Sequence, residues 1–224
     1  LKVRFRMYSE PQAHVLLGFE RGARAALELF ANGHEQFGGV WASAPPALSN
    51  GYIGALDLER SGNAFTHANG SRVATYRSPL GSIRDRIHAH LDDSLGFEHA
   101  LHGAQAWRSG SLFSDLAAAF GPFPVDALTG EIDPDRLERW RANDLLRRIA
   151  SDSALATAMR ERVRVMVGER DWYYCNQGVE ALAAMLGSKQ IEVVPEADTA
   201  QVAARARGHF HPAMIEYLIG EGFA

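Results

Sequence analysis

The chain has 224 residues, 46% of them hydrophobic and 22% charged, with a net charge of −4. That length holds one substantial domain with its own core. An acidic balance without a dense Lys/Arg cluster gives no reason to expect nucleic-acid binding, and no apolar run approaches the roughly 18 residues of a membrane span. The single cysteine, Cys175, excludes an internal disulfide and cannot make a cysteine metal site alone. The expectation is a soluble protein, with a reducing, cytoplasmic compartment favoured and export not excluded. The chain opens with Leu1 and has no signal-peptide pattern, so its natural start is expected to be missing or removed.

Residues 2–8 alternate, Val3, Phe5 and Met7 against Lys2, Arg4 and Arg6, as a half-exposed strand does. Only Ser9 to Ala13 separates this strand from the next, too few residues for a parallel crossover. Either the two pair antiparallel or residues have been lost at the join. The apolar run Val15-Leu16-Leu17 then reads as a buried strand, and Gly18-Phe19-Glu20-Arg21-Gly22 as a sharp turn. Ala23, Ala26, Leu27, Leu29 and Phe30 recur at helical spacing, and Gly33 is placed to end that helix with a left-handed cap. Gly39-Val40-Trp41-Ala42 is a second buried strand, closed by Ala44-Pro45-Pro46. The unit is βαβ.

Residues 49–82 are rich in Gly, Ser, Asn and Pro. Helical patches follow at Ile83 to Leu91, Phe97 to Trp107 and Leu112 to Phe120, before Gly121-Pro122-Phe123-Pro124 breaks the pattern. Asp133-Pro134 opens a helix through Trp140. A second is expected from Asp144 to Ile149, and a third capped by Ser151 or Asp152. Val163 to Gly168 is a strand and Glu169 to Tyr174 a loop at its carboxyl end. Val179 to Leu186 is a helix that stops near Gly187, Ile191 to Val194 a strand ended by Pro195, and Ala200 to Arg207 a helix. Gly208-His209-Phe210-His211-Pro212 reads as a loop before a final helix through Leu218. Strands alternating with helices predict an α/β fold, a parallel sheet with helices on both faces. Ligands of such sheets bind at the carboxyl ends of the strands. Glu20, Asp171 and the His209/His211 pair are all read there or just after.

The five residues Gly18 to Gly22 have the G-x-nucleophile-x-G spacing of a nucleophile elbow, whose glycines let strand and helix meet at close quarters. With the helix, strand and Ala-Pro-Pro turn that follow, the stretch resembles the α/β-hydrolase superfamily, most closely its esterase-like branch. Residues 13–47 and 160–219 carry the resemblance. It implies an α/β-hydrolase-like parallel sheet flanked by helices, with an incomplete N-terminal half. Residues 1–48 and 160–224 would form the core, and 49–159 a mostly helical insertion, either a cap or further helices on the sheet. It also implies a site in the chain order nucleophile, acid, histidine: Glu20, Asp171, then His209 or, second, His211. Phe19 and Arg21 at the elbow, with Trp172 and Tyr173 beside the acid, would serve the oxyanion or substrate. One position departs from the family: Glu20 stands where the esterases have serine. Where a histidine could follow the last strand the chain has Thr199, and Ser43 is not at an elbow.

Dehalogenase and epoxide-hydrolase branches use an aspartate at the elbow, one methylene shorter. Glutamate would move the attacking oxygen by about 1 Å, enough to cost roughly a hundredfold in rate, and its charge would repel an oxyanion. The expected function is that of an esterase-like hydrolase for a carboxylic ester or related acyl substrate, with activity altered or lost. The alternative is a non-catalytic protein of the same fold that binds a small ligand or a partner chain. A flavodoxin-like or other doubly wound domain without hydrolase kinship is a third reading. No cofactor is implied. An H-x-H pair at 209 and 211 would share a face on a strand, but no third ligand supports a metal. His88, His90, His99 and His102 read as helix surface. A sheet beginning at the elbow strand leaves an open edge, so another chain (a dimer or a partner), a segment outside this sequence or the inserted region is expected to cover it.

Overall fold

The computed structural model describes residues 8–52, 55–71, 73, 124–126 and 129–223. The strand expected at 2–8, apart from Tyr8, and the three helical patches between 83 and 120, with their histidines, lie outside the described residues. Four strands form one sheet in the order β1 (Val15–Phe19), β2 (Gly39–Ser43), β3 (Val163–Gly168) and β4 (Ile191–Val194), every neighbouring pair parallel. Six helices are described: α1 (Arg21–Gly33), α2 (Pro134–Arg141), α3 (Leu145–Ser151), α4 (Ser153–Arg162), α5 (Asn176–Leu186) and α6 (Thr199–Gly220). This is an α/β protein, as the alternation of strand and helix patterns predicts.

The chain divides into two compact units. The first holds the described residues through Pro45, Ile149–Glu169 and the residues from Val179 onward; the second holds Pro46–Arg148 and Arg170–Gly178.

In the first unit the sheet is covered on both faces. Register places Leu17 beside Trp41 and Trp41 beside Arg164. The residues of that parity therefore share a face, and those between them face the other way. On one face Trp41, Met166 and Val194 pack against Val202, Ala206 and Phe210 of α6. On the other, Gly18 meets the backbone of Gly22 and Ala23 at the start of α1, which buries Ala23, Ala26, Leu27 and Phe30. β2 is buried along its whole length. β1 is the terminal strand among the described residues and exposes Leu17 and Phe19.

Two expectations about helix ends need correcting. Gly33 is the last residue of α1, but its φ of −163° is extended rather than left-handed, and a short 3-10 turn, His34–Gln36, continues from it. Gly187, by contrast, does stop α5 at φ 60°. The larger correction is α6, a single helix of 22 residues that runs through Gly208 and Pro212. Its sheet-facing residues Val202, Ala206, Phe210, Met214 and Tyr217 recur every three or four positions against one cluster. Continuous burial of that stripe outweighs the local preference of glycine and proline to break a helix. Gly208 lies four residues before Pro212, where the proline ring meets the preceding turn.

The second unit has its own core of Leu56, Leu58, Ala64, Phe65, Val125, Leu137 and Trp140. Asp133 caps α2 by accepting from the backbone N–H of Asp135 and Arg136, with Pro134 in the first turn. Buried Asp144 accepts from Ser49 Oγ at 2.7 Å, Asn50 N at 2.8 Å and Arg147 N at 3.0 Å, and so ties the 49–50 loop to the start of α3. Arg141 grips the Glu59 carboxylate with Nε at 2.9 Å and Nη2 at 2.7 Å, while its Nη1 reaches Glu138.

Candidate active site

The elbow is built as its spacing predicts. β1 ends at Phe19, α1 begins at Arg21, and the one residue between them, Glu20, has φ 48° and ψ −118°. That region is nearly closed to residues with a β-carbon. A β-carbon on Gly18 would lie 2.2 Å from Gly22 O and 2.5 Å from Ala23 N, so this position must be glycine if the helix is to leave so sharply. A β-carbon on Gly22 would meet nothing within 4 Å. The bend is pinned by the Glu20 N–H, which donates to Ser43 O at 2.9 Å, and by the Arg24 N–H, which donates to Glu20 O at 3.1 Å. The Glu20 side chain makes no cap hydrogen bond to the helix it precedes and is half-buried.

Strain collects along this edge of the sheet. Among the described residues of the first unit those with positive φ that are not glycine are Glu20, Ala44 and Glu196, just past the ends of β1, β2 and β4. The remaining one among the described residues, Tyr174 at φ 58°, follows β3 and belongs to the second unit. Such conformations cost about 1–3 kcal/mol each and gather at functional sites. Ala44, Glu196 and Tyr174 were not singled out by sequence. The only signal is a neighbouring proline, Pro45 or Pro195, at two of the three.

Asp171 follows β3 by three residues and is buried at 1% exposure. Its Oδ1 accepts from Tyr173 N at 2.9 Å and Cys175 N at 3.0 Å. The carboxylate thus helps to fold its own loop. Trp172 and Tyr173 belong to the same loop in the second unit, Tyr173 exposed and Trp172 half-buried. Phe19 and Arg21, on either side of Glu20, are both exposed.

The histidines are not on a loop. His209 and His211 both lie inside α6 and are exposed. Two residues apart on a helix they diverge by about 200°, so they share no face. α6 begins just after β4, where Asp198 forms a capping box with Gln201. It runs back toward the amino ends of the strands, where the Tyr217 hydroxyl meets Gly38 O. His209 is ten residues beyond Thr199, about 15 Å along the axis at ~1.5 Å per residue. At the carboxyl end itself α6 presents Thr199, buried in its first turn. Ser43 is buried, with its Oγ toward Gly18 O at 3.4 Å. Among the described residues no group of three or more His, Cys, Asp or Glu could hold a metal, and no helix is long and apolar enough to cross a membrane.

No family model and no curated protein sequence matches the chain. Among solved structures it is similar to the peroxisomal alpha-beta-hydrolase Lpx1 of Saccharomyces cerevisiae, at 15% identity and a TM-score of 0.36. The match covers 90% of this chain and 53% of that one, so the chain spans about half the length of the structure it resembles. The fold is α/β on its own topology, one sheet of parallel strands with helices on both faces.

Proposed function

We infer that the protein is an esterase-like member of the α/β-hydrolase group, with a site shaped for a carboxylic ester or related acyl ligand, whose serine chemistry has been lost or altered at Glu20. One observation carries the reading. The residue between β1 and α1 is held at φ 48°, ψ −118° although it is glutamate, which has no conformational preference for that region. A strand and helix need no such residue merely to connect. The strain is what a side chain presented from such a turn requires.

Turnover of p-nitrophenyl acetate by the protein, by Glu20→Ser and by Glu20→Gln tests this. A gain in Glu20→Ser over the parent supports a triad that has lost its nucleophile. Activity in the parent that Glu20→Gln abolishes supports a working carboxylate. Inactivity of all three removes the catalytic reading.

The second reading, a non-catalytic protein that binds a small ligand or a partner chain, is favoured by a separate observation. Both candidate histidines are exposed on α6, and the buried residue at its carboxyl-edge end is Thr199. An imidazole there would be needed to move the nucleophile's proton.

A further inference from the structure

We propose that Arg164 is the receptor for a small oxyanion, a phosphate or carboxylate group, bound on the α6 face of the sheet. Arg164 is the second residue of β3 and stands beside Trp41 of β2. Its Cζ lies over the Trp41 ring, 4.8 Å from the ring centre. The Tyr217 ring of α6 meets the same indole at 5.5 Å. All three residues belong to the first unit, and the indole is fully buried. The guanidinium thus rests on a fixed aromatic base. Its N–H fork matches two oxygens side by side, as a carboxylate or phosphate presents them.

Among the described residues Arg164 donates no hydrogen bond and forms no ion pair. It is half-buried, and burial lowers its pKa. Other half-buried arginines are answered. Arg141 has Glu59 and Glu138, and Arg162 has the carbonyls of His34 and Phe37. The carboxylate of the neighbouring strand, Glu192, is bonded to Arg205 at 2.6 Å. The Tyr217 hydroxyl supplies no charge, because burial and Glu221 hold it above its ordinary pKa of 10, and it donates to Gly38 O. The indole N–H of Trp41 is a second buried donor without an acceptor among the described residues. A desolvated cation with no counter-charge is a net cost to the fold. Two neighbouring donors without an acceptor are complementary to an anion. The inference does not depend on the chemistry of Glu20.

The probes are inorganic phosphate and acetate, each titrated calorimetrically into the whole chain at constant ionic strength. At least one should bind saturably at a single site. Arg164→Gln should weaken that binding by about tenfold or more, the loss expected for a charge-assisted pair. Arg164→Lys keeps the charge without the fork and should fall between the two. Arg207→Gln, at an exposed arginine of α6, should leave binding unchanged. The bound anion should also raise the melting temperature of the parent and not that of Arg164→Gln. Should Arg164→Gln fail to fold, Arg164→Lys carries the comparison, and affinity equal to the parent's would overturn the proposal. So would the absence of saturable binding to either probe. Binding that Arg164→Gln leaves intact, or that Arg207→Gln weakens equally, would mean an adventitious ion only and would overturn it as well.

Discussion

A β-carbon on Gly18 would stand 2.2 Å from the carbonyl oxygen of Gly22, whereas a β-carbon on Gly22 would stand in open space. The two glycines that frame Glu20 look equivalent in the sequence and are opposite in kind. Gly18 is required because backbone occupies the place of its side chain, and backbone cannot move aside without rebuilding the bend. Gly22 contributes its backbone to that contact and is otherwise an ordinary residue of the first turn of α1. Gly18→Ala is therefore expected to destabilise the protein by about 2 kcal/mol or more. Gly22→Ala is expected to be neutral, or to stabilise it by up to about 1 kcal/mol as a better helix former. Urea unfolding of both variants would show the contrast, and equal losses would refute it.

Glu20 itself holds a conformation that glycine adopts more easily. Glu20→Gly is expected to raise unfolding stability by about 1 kcal/mol through relief of that strain, with the added freedom of the unfolded chain offsetting part of the gain. A residue that is costly to the fold and supported by its neighbours is what a site retains for use. Denaturant titration of the variant beside the parent measures the difference, and a loss of stability would mean that the Glu20 side chain contributes contacts which outweigh its backbone cost.

The Arg141 guanidinium, hydrogen-bonded to Glu59 through Nε and Nη2, holds the Glu59 carboxyl below its ordinary pKa of 4.5, with Arg147 adding to the effect. A depressed carboxylate pKa contributes stability that is fully present above about 4.5 and lost as pH falls through the folded-state value. Arg141 is raised by the same contact and stays charged throughout. Glu59→Gln should thus be less stable than the parent at neutral pH, and the difference should shrink on the acid side of 4.5. Thermal melts from neutral pH downward check this. A gap that stays constant with pH would place the contribution of Glu59 elsewhere.

Much of the first unit is legible in the sequence because its elements carry local signals. Val163 to Gly168 and Ile191 to Val194 are short apolar runs with clear stops, and both are strands over those residues. Asp152 caps α4, and in the second unit Asp133-Pro134 caps α2. The misreading of α6 shows where local signals fail. Gly208 and Pro212 are strong breakers, but the stripe from Val202 to Tyr217 is decided by what it packs against, which sequence alone does not contain. The candidate site shifts with it, since local signals put His209 on a strand-end loop and the fold holds it mid-helix. The strain at Ala44 and Glu196 was illegible for a related reason. Backbone forced by the meeting of distant segments leaves no residue preference behind when the residue present is alanine or glutamate.

Asp171 is the residue whose two roles can be separated by one atom. As a loop former it accepts from Tyr173 N and Cys175 N through Oδ1. Asparagine keeps that oxygen; alanine does not. Asp171→Ala should therefore cost about 2 kcal/mol or more, because two N–H groups of the loop lose their acceptor. Asp171→Asn, which keeps that acceptor, should lose less stability than Asp171→Ala. As the acid of a hydrolase site, however, Asp171 must carry charge, because it orients and stabilises an imidazolium. In a Glu20→Ser background that turns over p-nitrophenyl acetate, Asp171→Asn should then lower kcat by on the order of a hundredfold or more while lowering the melt less than Asp171→Ala does. If Asp171→Asn keeps the turnover, the carboxylate is a loop former only. Whatever chemistry Glu20→Ser restores would then draw on another acid.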